Sequence, residues 1–130
     1  MNELGRDIGL LVLRIGVGAM MVFSHGLSKL VHFSEYSTRF SDPIGLGSFW
    51  SLILVIFAEF FCATAVVLGL LTRLAVVPLM VTMAVATFIV HVNDPWSKKE
   101  FALLYFIPFL TLMFTGSGRF SLDALIRKKH

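Results

Sequence analysis

GLLVLRIGVGAMMVFSHGLSKL (residues 9–30) and FWSLILVIFAEFFCATAVVLGLL (residues 49–71) decide the fold. Each is long enough to cross a hydrocarbon core as a helix. Each also carries an ionisable residue well inside it, Arg14 in the first and Glu59 in the second. An isolated charge at that depth is costly, so such residues turn toward the protein interior, find partners and mark function. The sequence reading therefore pairs the Arg14 guanidinium with the Glu59 carboxylate across two neighbouring helices.

Composition agrees with a lipid solvent. The 130 residues are 57% hydrophobic and 15% charged, and the mean hydropathy is +0.85, far more apolar than a soluble domain of this size. Further apolar windows at residues 74–92 and 100–116 follow those near 8–30 and 49–71. Four spans of about 20 residues each consume most of the chain. The expectation is an all-α integral membrane four-helix bundle, one transmembrane domain over residues 1–130, with a short amphipathic C-terminal segment. The first run contains Arg14 and lacks a small-residue cleavage site, so it reads as a retained span and not a signal peptide.

Charge sets orientation and excludes some partners. A net charge of +3 arises from basic residues in ones and twos between apolar runs, a membrane-surface pattern with no nucleic-acid stripe. Arg6, Arg73, Arg119, Arg127, Lys128 and Lys129 fall on the side of the termini, against Lys29, Arg39, Lys98 and Lys99 opposite, which favours cytoplasmic termini and an inner-membrane location. Trp50 and Trp96 both fall at the far interface, where tryptophan belts form. The single cysteine, Cys62, excludes an intramolecular disulfide or a thiol relay within one chain.

Helical periodicity distributes the polar groups. Arg14, Gly18, Met21, His25 and His32 share one stripe of the first span. Gly5, Gly9 and Gly16 share another, which suggests a close contact with the Ala58, Cys62, Ala65 and Gly69 face of the second span. At about 1.5 Å per residue Arg14 falls roughly 10 Å inside the near edge and Glu59 near mid-membrane, an offset two long side chains could bridge. His25, His91 and Glu100 reach similar depth at the far end, near Asn93, Asp94 and Trp96. The candidate polar pocket is thus Arg14, His25, Glu59, His91 and Glu100, suited to a quinone head group or to proton relay. Haem ligation by His25 and His91 has no short ligand spacing behind it, and no metal site is expected. The plainer alternatives are a structural salt bridge and interfacial histidines bound to headgroups or backbone. The 32–48 loop, with its Asp42-Pro43 turn and Gly45/Gly47 hinge, is expected to lie flat on the far surface. Pro78 and Pro108 should kink or loosen the third and fourth spans. Ser121 should cap a last helix whose Leu122, Leu125 and Ile126 face lipid.

Taken in order, these landmarks resemble the DoxX family of small four-span membrane proteins. The likeness rests on Arg14, Gly18, Phe23, Gly26 and Lys29-Leu30 in the first span, and on Glu59 with LGLLTR (residues 68–73) in the second. It continues through Glu100 with LLY (residues 103–105) and ends at GSGRFSLD (residues 116–123). Ser117 stands where the family's closing motif has proline, and Ala63 where many relatives have glycine. The resemblance implies a membrane subunit or partner in a quinone-linked redox system, of the thiosulfate:quinone oxidoreductase kind, with a soluble redox partner and Arg14, Glu59 and Glu100 as the residues that matter. A non-catalytic scaffold, or a small-solute or proton pathway formed by a homo-oligomer, are the alternatives.

Overall fold

Apolar runs bounded by short polar turns fold here into helices whose lengths match a bilayer. The computed structural model describes residues 3–40, 42 and 44–129, without the side chains of Lys128 and Lys129; Pro43 of the expected turn lies outside the described residues. Helices α1 (Glu3–Val31), α3 (Ser48–Leu68) and α4 (Thr72–Val90) are each long and apolar enough to cross a membrane. A short α2 (Phe33–Tyr36) lies between the first two. Helix α5 (Trp96–Thr115) is 20 residues long, but Lys98, Lys99 and Glu100 occupy its start, so its apolar stretch begins only at Phe101. Helix α6 (Leu122–Lys129) closes the chain, and Ser121 caps it by accepting the Ala124 N–H at 3.2 Å.

The result is an all-α membrane bundle, with no strand among the described residues. Large apolar side chains such as Val12, Phe23, Phe88 and Phe114 point outward, which in water would be prohibitive and in lipid is ordinary. Helices α4 and α5 pack along their length, α1 lies against α3, and α1 meets α5 over a thinner seam. Met21, Val66, Val76, Leu79, Phe109 and Leu112 fill the centre. Pro78 and Pro108 lie within helices that continue past them. The Thr82 hydroxyl donates to the Pro78 carbonyl one turn back at 2.8 Å, the usual way a threonine satisfies its hydroxyl inside a helix.

Three of the helices widen by one residue into a π turn, at Val22–Gly26 of α1, Phe57–Cys62 of α3 and Ala86–Val90 of α4. Such turns rotate the residues beyond them relative to a straight helix and cluster at functional sites. Those of α1 and α3 touch. A Cβ at Gly26 would collide with the Glu59 carbonyl and the Phe60 nitrogen, and one at Gly18 would come within 2.7 Å of a Val67 methyl. The close helix contact therefore runs through Gly18 and Gly26, not through the expected face, because Gly9 and Gly16 have open space beside them.

Gly26→Ala is expected to destabilise the protein by about 1–3 kcal/mol, the usual cost of overpacking. Gly16→Ala should be neutral or stabilising by up to about 1 kcal/mol, through helix propensity. Thermal unfolding in detergent or nanodiscs checks the ordering of the two.

Candidate functional site

Register along α1 and α3 decides which charges meet. Because Gly26 sits against Glu59, the residue one turn further along α1, Lys29, stands level with that carboxylate. The Lys29 ammonium donates to Glu59 Oε1 at 2.5 Å, with side-chain exposures of 20% and 5%. Arg14 lies beside Gly69, ten residues beyond Glu59, about 15 Å along a helix axis. The expected Arg14–Glu59 pair is therefore not formed, since the axial offset exceeds what two side chains span.

Arg14 instead holds the end of the chain. The residue is 1% exposed, and its guanidinium donates to the Ser117 carbonyl at 2.7 Å and the Phe120 carbonyl at 2.9 Å. Asp7, also buried, accepts the Arg119 N–H at 3.2 Å and faces the Arg119 guanidinium at 3.6 Å. Asp123 accepts from the N–H groups of Leu71 and Thr72 at 2.8 and 3.2 Å. It thereby serves as a borrowed N-terminal cap for α4 and holds Leu71 at a left-handed φ of 49°. Arg73 completes the arrangement by donating to the Met113 and Phe114 carbonyls, groups that the last turn of a helix leaves free. The closing segment is thus a strap tied to α1 and to the α3–α4 turn. The Ser117 hydroxyl adds a 3.0 Å contact with that of Ser121, which a proline at that position would lack.

At the opposite end the three π turns border a cavity of about 400 Å³. His25, Lys29, Glu59, His91 and Tyr105 are its principal polar lining, together with Lys98, Ser51 and Thr82; the rest is apolar, including Met21, Leu54, Val81 and Phe101. His25 meets the Tyr105 ring edge-on at 5.4 Å, and Tyr105 stacks on Phe109. The structure brings together His25, Glu59 and His91 of the expected set. Arg14 is absent from this lining because it lies at the strapped end. Glu100 is absent because it points outward from the first turns of α5, and the exposed Asn93 and Trp96 likewise stay outside.

Of the principal polar lining, Lys29 and Tyr105 are the residues that sequence reasoning left out, as it did Ser51, Thr82 and Lys98. The signal for Lys29 was present: it follows His25 by four residues and so shares its face, and Glu59 needs a cation at its own depth. Tyr105 carried no comparable signal. Its place follows from how α5 packs.

The loop after α2 does not simply lie flat. Phe40 and Ile44 turn into the cavity lining, and the Ser48 hydroxyl donates to the Phe40 carbonyl at 2.7 Å. Asp42 fastens this loop to the start of α3, accepting from the N–H groups of Leu46 and Gly47 and from the Ser51 hydroxyl. The Gly47 N–H, with the Ser51 and Leu46 donors behind it, holds the Asp42 carboxyl below its ordinary value against a smaller opposing effect of desolvation. On the far rim the His91 ring is 2.6 Å from Asp94, and that hydrogen bond likewise holds Asp94 below its usual range.

Comparison with known proteins agrees with this architecture. The DoxX family profile matches residues 9–92. The chain belongs to the DoxX family. One Haemophilus influenzae protein is 28% identical over 98% of this chain and 89% of its own length. A second from the same organism is 33% identical over 95% of each chain, and both carry the description "Uncharacterized protein". No solved structure matches. The DoxX match spans Arg14, Lys29, Glu59 and the π turns of α1, α3 and α4, while the strap lies beyond it.

Arg14→Leu is expected to destabilise by about 1–3 kcal/mol for each carbonyl left unpaired. The exchange of Arg14 and Glu59 should fail to restore it, because the two groups are not partners; recovered thermal stability in the double variant would contradict this. A depressed carboxyl stabilises above its unfolded-state pKa and loses that contribution as pH falls through its folded-state pKa. Protease sensitivity of the Asp42 loop should therefore rise only below about pH 4, and Asp42→Asn should remove that dependence while leaving the contribution of Asp94.

Proposed function

We propose that this DoxX-family protein is a membrane subunit or partner of a quinone-linked redox system, of the thiosulfate:quinone oxidoreductase kind, and that the cavity receives the quinone head. The carrying observation is that His25, Lys29, Glu59 and Tyr105 line a cavity whose remaining walls are mostly apolar. Its volume of about 400 Å³ lies within the usual range for small-molecule sites, which combine apolar walls with a few placed polar groups. A bound quinone supplies two-electron, two-proton chemistry, with electrons delivered by a soluble redox partner. The Lys29 ammonium and the His25 ring supply donors for a carbonyl oxygen. Glu59, paired with Lys29, holds the ammonium in place, and is itself a group through which a proton can pass. His91 and Asp94 at the rim connect this interior to the aqueous side. With the termini in the cytoplasm, as the basic residues favour, the cavity faces the outer half of an inner membrane.

A scaffold role is the second reading, favoured by the use of Arg14, Asp7 and Asp123 entirely in tying the fold together. A solute or proton pathway has less support. Val17, Met21, Val66, Leu79 and Phe109 fill the interior between Arg14 and the cavity, and that apolar layer interrupts the polar stripe.

Protein purified from native lipid should carry quinone. Glu59→Gln, by losing a charge-assisted contact to Lys29, should weaken quinone binding about tenfold while the bundle stays folded. Undiminished partner activity in a folded Glu59→Gln, Lys29→Met double variant would favour the scaffold.

A further inference from the structure

A second concavity, of about 440 Å³, lies on the outer surface along the seam between α1 and α5. Its lining includes Val12, Gly16 and Met20 from α1, and Phe101, Leu104 and Pro108 from α5. Tyr105 contributes too, and Tyr105 and Phe101 also line the polar cavity. One pair of rings on α5, one turn apart, is thus the shared wall between a lipid-facing groove and the polar interior. The seam is the thinnest contact between neighbouring long helices of the bundle, and nothing lies within 4 Å of where a Gly16 Cβ would be. Val12, Met20, Phe101 and Leu104 are all exposed, so the groove opens sideways toward acyl chains. Apart from the Tyr105 hydroxyl its side chains are apolar, and a polar ligand would find no donors along it.

We infer that this groove holds the apolar tail of the amphiphile whose head occupies the polar cavity, and that the ligand enters sideways from the bilayer between α1 and α5 past Phe101 and Tyr105. The inference rests on the quinone-head reading and adds the route and the tail subsite. Adjacency across the shared wall selects this occupant: a chain in the groove has one end at Tyr105, and displacement of the Phe101 and Tyr105 side chains joins the groove to the cavity that His25 and Lys29 line. Gly16 provides the floor on which the chain lies.

The test uses the full chain in nanodiscs and two probes, a benzoquinone with its full isoprenoid tail and the same head with the tail reduced to methyl. Each probe is compared between wild type and Gly16→Phe, so that partitioning into lipid cancels. Gly16→Phe fills the groove from a position with open space and should leave the thermal midpoint unchanged. It is expected to weaken the tailed probe about fivefold, the scale of several lost van der Waals contacts, and to leave the tail-less probe unaffected. Val12→Phe, at a position 66% exposed, is the second variant and should act in the same direction. Unaltered binding of the tailed probe in both folded variants overturns the tail subsite while leaving the head site standing. Equal weakening of both probes also overturns it. An altered oligomeric state with tailed binding unaltered assigns the groove to a second copy of the chain and overturns it as well. Failure of wild type to bind either probe overturns the quinone reading, and the tail subsite falls with it.

Discussion

The contact of Gly26 with the Glu59 backbone fixes how deeply α1 sits against α3, and the polar pairings follow from that depth. A carboxylate in the membrane interior needs a cation within reach. With Gly26 opposite Glu59, the cation one turn along is Lys29. Had the helices met through Gly9 and Gly16 instead, the register would slide by several turns and offer Glu59 a different partner. The absence of one side chain at Gly26 thus governs an electrostatic arrangement, because only a bare Cα allows two backbones to approach so closely.

Two polar systems at opposite ends divide the work of the bundle. At the strapped end Arg14, Asp7, Asp123 and Arg73 answer backbone groups that helix ends and turns leave unpaired, so their charges stabilise the fold. At the cavity end the charges answer one another, and the histidines and Tyr105 stand beside them around empty volume. The packed layer containing Met21, Leu79 and Phe109 separates the two. A residue of one system therefore cannot substitute for a residue of the other, although both sets look alike as buried charges.

The π turns connect backbone to site. Each adds a residue to a turn and shifts the face of the helix beyond it. In α1 the π turn itself carries His25 into the cavity lining, whereas Arg14, about 16 Å earlier along the axis, lies at the strap. In α4 the His91 N–H reaches back to the Ala86 carbonyl at 3.0 Å, which ends the wide turn and leaves the ring at the rim beside Asp94.

The sequence by itself determined the solvent, the helical class, the main apolar helices and the capping of α6 by Ser121, because hydropathy and local hydrogen bonding act over a few residues. It also marked His25 and His91 as belonging to one end of the bundle, since depth in a membrane follows from counting residues along a helix, but it set Glu59 at mid-membrane as a partner of Arg14 and grouped Glu100 with the histidines. Only the tertiary structure decided that Arg14 serves the closing strap and that Lys29 serves Glu59. That choice depends on axial register, which is set by backbone contact at Gly26 and leaves no periodic trace in the chain. Tyr105 became the wall between cavity and groove for the same reason: the packing of α5 against its neighbours, and not any local pattern, chose its surroundings.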